Sequence, residues 1–109
     1  MSRAKGNIAE ERAAAFLLEN GFSIVERNFY SRFGEIDIIA TQSDVMHFVE
    51  VKSAQNYELA IQNLTPTKLS RFTKTVYVYL KKNSLDIDYC IDAAIVTPES
   101  IELLENITL

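Results

Sequence analysis

Glu35-Ile36-Asp37-Ile38-Ile39-Ala40-Thr41, then Gln42-Ser43-Asp44, then Val45-Met46-His47-Phe48-Val49-Glu50-Val51-Lys52: the reading of this run decides the fold. Two apolar segments rich in β-branched residues flank a cluster of turn formers. The pattern predicts strands over Glu35–Thr41 and Val45–Lys52, paired as a hairpin. Side chains alternate faces along a strand, so Glu50 and Lys52 project to one side and Val49 and Val51 to the other. Burying a charge costs several kcal/mol, roughly, unless it is paired or bound to a metal. An Asp, a Glu and a Lys set among core residues therefore need a reason. The reading favoured here is a divalent-metal site that hydrolyses a phosphodiester.

The chemistry follows from the residue types. Mg²⁺ prefers hard oxygen ligands and takes one or two carboxylates together with water and substrate phosphate. Asp37 on one strand and Glu50 on its hairpin neighbour can supply two carboxylates, and the main-chain carbonyl of Val51 a third oxygen. Such an ion polarises the scissile phosphate and lowers the pKa of a bound water. Lys52 would orient that water or neutralise charge developing on the phosphate. It would serve as a base only if its pKa fell from roughly 10.4 towards neutrality. Glu35 shares a face with Asp37 and is a further candidate ligand or support.

Outward from the hairpin, the chain alternates helix and strand. Residues from about Asn7 to Asn20 carry a helical stripe of Ala9, Ala13, Phe16 and Leu17, with Asn7 as the expected N-cap and Gly21 as the C′ glycine. Glu10 falls at the edge of that stripe and Glu11 on the solvent side. Glu10 is thus both the N3 partner of a capping box and the helical carboxylate able to reach a site on the sheet. Phe22–Asn28 reads as a first strand, followed by a short polar loop flanked by Tyr30 and Phe33, for which packing over the sheet end is expected ahead of base stacking. Residues 53–64 suit a loop followed by a short helix. Thr65-Pro66 opens a helix that runs to about Lys82, with the stripe Leu69, Phe72, Val76 and Leu80. Tyr89–Val96 is a strand, Thr97-Pro98-Glu99 a turn, and Ser100–Leu104 an edge strand. This order makes an α/β sandwich around a mixed sheet, one domain over residues 1–109.

Composition bounds the remaining classes. At 109 residues, 48% of them hydrophobic, the chain can build one core without disulfides or a structural metal. With a single cysteine, Cys90, neither an intrachain disulfide nor a Cys-based zinc site is expected; Cys90 reads as an inert core residue and His47 as a packed one. Neither a signal peptide nor a membrane span is apparent, so a cytoplasmic protein without membrane contact is expected. The net charge of −4 is unevenly spread: residues 1–82 hold all 11 basic residues and 9 acidic ones, while residues 83–109 hold 6 acidic residues and no Lys or Arg. The first three quarters of the chain are therefore mildly basic, and Lys68, Arg71 and Lys74 on one helix are candidates to track a phosphate backbone. A solvated basic face is the other reading of those three residues.

The motifs also carry a family likeness. Glu-x-x-Ala in the first helix, Phe-Gly-Glu-Ile-Asp-Ile-Ile at residues 33–39, Phe-Val-Glu-Val-Lys at 48–52 and Ile91-Asp92 together resemble the YraN-like family of small bacterial proteins. That family is related to the restriction-endonuclease-like superfamily and similar in fold to archaeal Holliday-junction resolvases. The resemblance implies a restriction-endonuclease-like mixed sheet flanked by helices, with an α-β-β-β-α-β core. It also implies a metal-dependent endonuclease site of Asp37, Glu50, Lys52 and Glu10, with Mg²⁺ or Mn²⁺ as cofactor and DNA, including branched DNA, as substrate. The chain departs from the family's usual pattern at Ala9, where Gly precedes the helical Glu, and at Ser53-Ala54-Gln55, where a basic residue follows the Glu-x-Lys. A homodimer is expected, because a four-way junction presents two symmetric cleavage points. Two further readings stand beside the enzyme: a nucleic-acid-binding module that keeps the fold without cleaving, and an interaction subunit whose acidic stretch from Asp86 to Glu105 meets a basic partner.

Overall fold

The computed structural model describes residues 2–108. Its elements run α1 (Ser2–Glu19), β1 (Ser23–Ser31), β2 (Gly34–Gln42), β3 (Val45–Ser53), α2 (Tyr57–Gln62), α3 (Pro66–Lys82), β4 (Tyr89–Val96) and β5 (Ile101–Leu104). One five-stranded sheet takes the order β1-β2-β3-β4-β5. Neighbours are antiparallel except β3 and β4, which pair in parallel. A parallel pair needs a crossover, and α2 and α3 supply it. The mixed α/β sandwich expected from the sequence is the fold observed.

Each boundary has a local cause. The α1 helix ends in a Schellman motif: Phe22 N–H donates to Leu17 O at 3.0 Å and Gly21 N–H to Leu18 O at 3.2 Å, with Gly21 at φ 86°. At its other end the helix begins before the expected cap. Asn7 lies inside α1 and does not start it, so Glu10 is not the partner in a capping box. Ser43 and Asp44 both take positive φ, 52° and 65°, as a two-residue hairpin turn of mirror-image type requires. Thr65 caps α3, its hydroxyl accepting the Lys68 N–H at 3.2 Å, with Pro66 in the first turn.

Two helical layers cover the sheet. The small side chains of Ala9, Ala13 and Ala14, with Leu17, let α1 sit closely on Ile38, Ala40, Val49, Ala94 and Val96. On the opposite face α3 buries Phe72, Val76 and Tyr79 against Phe29, Ile39, Phe48 and Ile91, while Ala60 of α2 meets Ala93 and Ile95. Phe48, Leu17, Ile36, Ile38 and Ile39 are fully buried, each worth about 1.5–3 kcal/mol relative to exposure. The α3 stripe differs from the expected one by inclusion of Thr75 and Tyr79, both buried. Thr75 is tolerated because its hydroxyl pairs with Ser31 Oγ at 2.9 Å and donates to Arg71 O at 3.1 Å.

The outer hairpin holds the main irregularity. β1 runs three residues past its expected end, with a register shift between Ile24 and Glu26. Asn28 sits at φ 58°, and the paired residues pass from Arg27↔Ile38 directly to Phe29↔Ile36. In a regular strand Arg27 and Phe29 would share a face. Here Arg27 meets α1 carboxylates while Phe29 packs in the α3 cluster. The left-handed residue reverses the alternation, and it does so directly beside Asp37.

Candidate active site

β2 and β3 are paired from Gln42↔Val45 up to Ile38↔Val49. The regular pairing stops one step before Asp37 and Glu50 would face each other. There the Asp37 side chain takes over: its Oδ2 accepts the Val51 N–H at 2.7 Å. A carboxylate bonded to a main-chain amide is held without a cation. Asp37 is nonetheless half-buried, and its pKa is pushed up to about 7. Burial is the main cause. The Val51 hydrogen bond opposes it, and the negative charges of Glu35, Glu10 and Glu50 add to it.

Glu50 is buried, and its two oxygens are treated differently. Oε1 pairs with Lys52 Nζ at 2.9 Å, as their placement two residues apart on one face requires. Oε2 is buried with no hydrogen-bond partner. Such an atom is costly unless something satisfies it. An unpaired Glu50 oxygen near an Asp37 that burial and neighbouring acids drive towards protonation is an acidic pair short of positive charge. The residues present therefore fit a hard divalent cation.

On the α3 side Glu50, Lys52 and Glu35 line a shallow cleft of about 190 Å³ together with Lys68, Arg71 and Phe33. Glu35 and Glu50 thus share one surface with two of the three basic helix residues singled out in the sequence, while Asp37 is not among the residues that line it. Lys74 stands at the rim, its Nζ 5.7 Å from the Phe33 ring centroid, with Arg32 Cζ at 4.8 Å from the same ring. Phe33 is half-buried at the cleft, whereas Tyr30, expected to pack over the sheet end, is 62% exposed.

Glu10 lies elsewhere. It is buried on the α1 side, as its wheel position predicts, and Glu11 is exposed. Arg27 holds both, with Nη2 at 3.2 Å from Glu10 Oε1 and Nη1 at 2.9 Å from Glu11 Oε1. The two carboxylates raise the Arg27 pKa, the Glu11 hydrogen bond most. Glu10 acts on Asp37 through its charge but is not a wall of the cleft. Arg27 is the residue at this site to which sequence reasoning gave no role. Its pairing with α1 depends on how β1 crosses the helix, and the sequence marks that crossing only by the left-handed Asn28.

Among the described residues, the His, Cys, Asp and Glu side chains whose ligating atoms lie within 4.8 Å of one another as a group of three or more are His47, Cys90 and Asp92. Glu10, Asp37 and Glu50 do not close to that distance. His47 and Asp92 are buried and paired, Nδ1 to Oδ2 at 2.6 Å. Cys90 is half-exposed and not a core residue, its Sγ at 3.1 Å from His47 Nδ1. Its thiol is pushed up to about 12 by burial first and Asp92 second, so it is a poor nucleophile.

Helix, three strands, helix and strand around a mixed five-stranded sheet make a mixed α/β fold consistent with a nuclease-like one. The chain belongs to the uncharacterised protein family UPF0102, which matches residues 9–96. It is 70% identical to a UPF0102 protein of Sulfurimonas denitrificans over 109 residues, the whole of both chains. It is 54% identical over 110 residues to one of Aliarcobacter butzleri and 53% identical over 109 residues to one of Wolinella succinogenes, again across both full lengths. Among the described residues no helix is long and apolar enough to cross a membrane.

Proposed function

We propose that this protein is a metal-dependent endonuclease that hydrolyses phosphodiester bonds in DNA, with branched or other structured DNA as the substrate class. The observation that carries the reading is the buried, unpartnered Oε2 of Glu50, a residue that acts on Asp37 through its charge and lines a cleft with Lys52, Lys68 and Arg71. Asp37 and Glu50 would hold Mg²⁺ or Mn²⁺, which when bound supplies Lewis acidity at the phosphate and an acidified water. Lys52, fixed by Glu50, presents its ammonium where negative charge develops on the phosphate. Lys68 and Arg71 neutralise flanking phosphates, and Lys74 extends that basic face. Glu10, through its charge, helps keep the Asp37 neighbourhood acidic. Two copies would present two such sites to a four-way junction.

The test is cleavage of branched, single-stranded and duplex DNA with Mg²⁺ and Mn²⁺, comparing the protein with Asp37→Ala. Cutting that needs the metal and disappears in the variant supports the assignment. One observation favours a second reading, a binding module that does not cleave: Glu10 is tied to Arg27 and the three carboxylates do not converge. That protein would shift DNA in EDTA, with affinity falling steeply as salt rises, and would cut no substrate with either metal.

A further inference from the structure

We propose that His47, Cys90 and Asp92 form a second metal centre, on the opposite face of β3 from Glu50, which takes a borderline-soft cation of the zinc type. The three side chains come from adjacent parallel strands and share one face, with His47 in register with Cys90 and Val49 with Asp92. Thiolate, imidazole and carboxylate in one cluster is a donor set suited to Zn²⁺ or Co²⁺ and poorly suited to Mg²⁺. It is therefore chemically distinct from the all-oxygen set around Asp37.

The way the atoms crowd carries the inference. His47 Nδ1 lies 2.6 Å from Asp92 Oδ2 and 3.1 Å from Cys90 Sγ. A ring nitrogen carries at most one proton. In the metal-free state the Cys90 thiol has a proton of its own to donate within the cluster; an ion that displaced it would be held by all three atoms at once, which already converge within 4.8 Å of one another. Bonds of about 2.0 Å to nitrogen and oxygen and 2.3 Å to sulfur set tetrahedral ligands roughly 3.3–3.6 Å apart. The three atoms reach that spacing by withdrawing less than about 1 Å, and the half-exposed Cys90 is the member through which an ion would enter.

The surroundings prepare the site. The Asn106 N–H donates to Asp92 Oδ1 at 2.9 Å, which fixes the carboxylate and leaves Oδ2 turned to His47. This is the kind of support that orients metal-ligating groups. The Phe22 ring stands edge-on to His47, with centroids 4.9 Å apart, and limits how the imidazole turns. The Ile107 N–H donates to Ile91 O at 2.8 Å, laying the segment after β5 along β4 beside the cluster. A bound ion would pin that segment through Asp92, so binding couples to stability.

Titration of EDTA-stripped full chain with Co²⁺ tests the proposal. The expected result is stoichiometric binding, with a thiolate-to-cobalt charge-transfer band in the near ultraviolet and tetrahedral visible bands, all displaced by Zn²⁺. Cys90→Ser should lose the charge-transfer band, and His47→Gln should weaken Zn²⁺ binding by at least ~100-fold. Asp37→Ala should keep both, because an oxygen-only site gives no thiolate band. Failure of the nuclease reading thus leaves this result untouched, and the reverse also holds. Absence of a thiolate band at stoichiometric Co²⁺ in the wild-type protein overturns the proposal. A band of unchanged strength in a folded His47→Gln protein overturns it as well, since the thiol would then be binding alone. Zn²⁺ should also raise the melting temperature of the wild-type protein and not that of Cys90→Ser. An equal response in the two counts against the site.

Discussion

Replacing Asp37 by Asn should stabilise the metal-free protein at pH 8 and leave it unchanged near pH 4. The carboxyl titrates at about 7 in the fold against 3.8 for its ordinary value. An acid whose folded pKa is raised binds more protons in the native state between those two values. Its contribution to stability is therefore fully present below about pH 4 and is lost progressively as pH rises through 7. At 1.36 kcal/mol per pKa unit the loss comes to about 4 kcal/mol, a ceiling that water entering the site would lower. The Asn amide is neutral, keeps the shape and keeps an oxygen to accept the Val51 N–H. It avoids the titration without opening a cavity. Urea unfolding in EDTA from pH 4 to 8 measures the difference between the two proteins, in which contributions from all other titrating groups cancel. With a slope of ~1–3 kcal/mol/M the midpoints should part by ~1–4 M at pH 8. Saturating Mg²⁺ or Mn²⁺ should then close the gap from the wild-type side, by about 2.7 kcal/mol at a hundred times the dissociation constant. Parallel curves for the two proteins across the whole pH range would refute the reasoning, since Asp37 would then be as well solvated in the fold as out of it.

Four other outcomes are expected. Arg27→Gln leaves the buried Glu10 carboxylate without its cation and should destabilise the fold by about 1–3 kcal/mol in urea unfolding. Glu11→Gln, which alters only the exposed partner, should stay within roughly 0.5 kcal/mol of the wild type. Lys68→Ala and Arg71→Ala should each weaken DNA binding and reduce the slope of log affinity against log salt by about 0.7–0.9, read by fluorescence anisotropy, with no change in sequence preference. Gly21→Ala places a side chain at φ 86° in the α1 terminus and should cost about 1–2 kcal/mol of stability.

The parts of this fold that read clearly from sequence are those fixed by neighbours a few residues apart. The β2–β3 hairpin is specified by its own turn, and the start of α3 by Thr65 and Pro66. Strand alternation alone puts Glu50 beside Lys52, and the helical wheel alone puts Glu10 towards the sheet and Glu11 away. The beginning of α1 was less legible, because an Asn signals a cap only if the helix has not already started. The end of β1 was hidden because Tyr30 and Ser31 run into a short polar stretch that resembles a loop, and Phe29, Tyr30 and Ser31 join the strand through pairing with β2. The metal-type cluster on β3 and β4 was out of reach for the same reason. His47 and Asp92 are separated by 45 residues and meet only through the parallel register of those strands. Read singly, each was a packed residue or a fragment of a motif.

The left-handed Asn28 and the pairing break at Asp37 belong to one device. Were β2 and β3 to continue in register past Ile38 and Val49, the Val51 amide would be drawn into the ladder and the Asp37 carboxylate would lose the donor that holds it. Were β1 to keep its alternation, Arg27 and Phe29 would share a face, and either the guanidinium would leave the α1 carboxylates or the ring would leave the α3 core. Both irregularities fall at the same level of the sheet, and together they let one half-buried carboxylate sit between an ion pair on one side and a basic cleft on the other. Strand irregularities commonly serve to re-aim a side chain. The cost of that placement is the raised Asp37 pKa itself, so the Asn28 turn and the Asp37 titration should move together. Asn28→Val, which disfavours positive φ, should let β1 regularise and bring the Asp37 pKa down towards its ordinary value, as followed by carboxyl NMR titration. An Asp37 titration unmoved in a folded Asn28→Val protein would separate the two features and leave the break at Asp37 as a property of β2 and β3 alone.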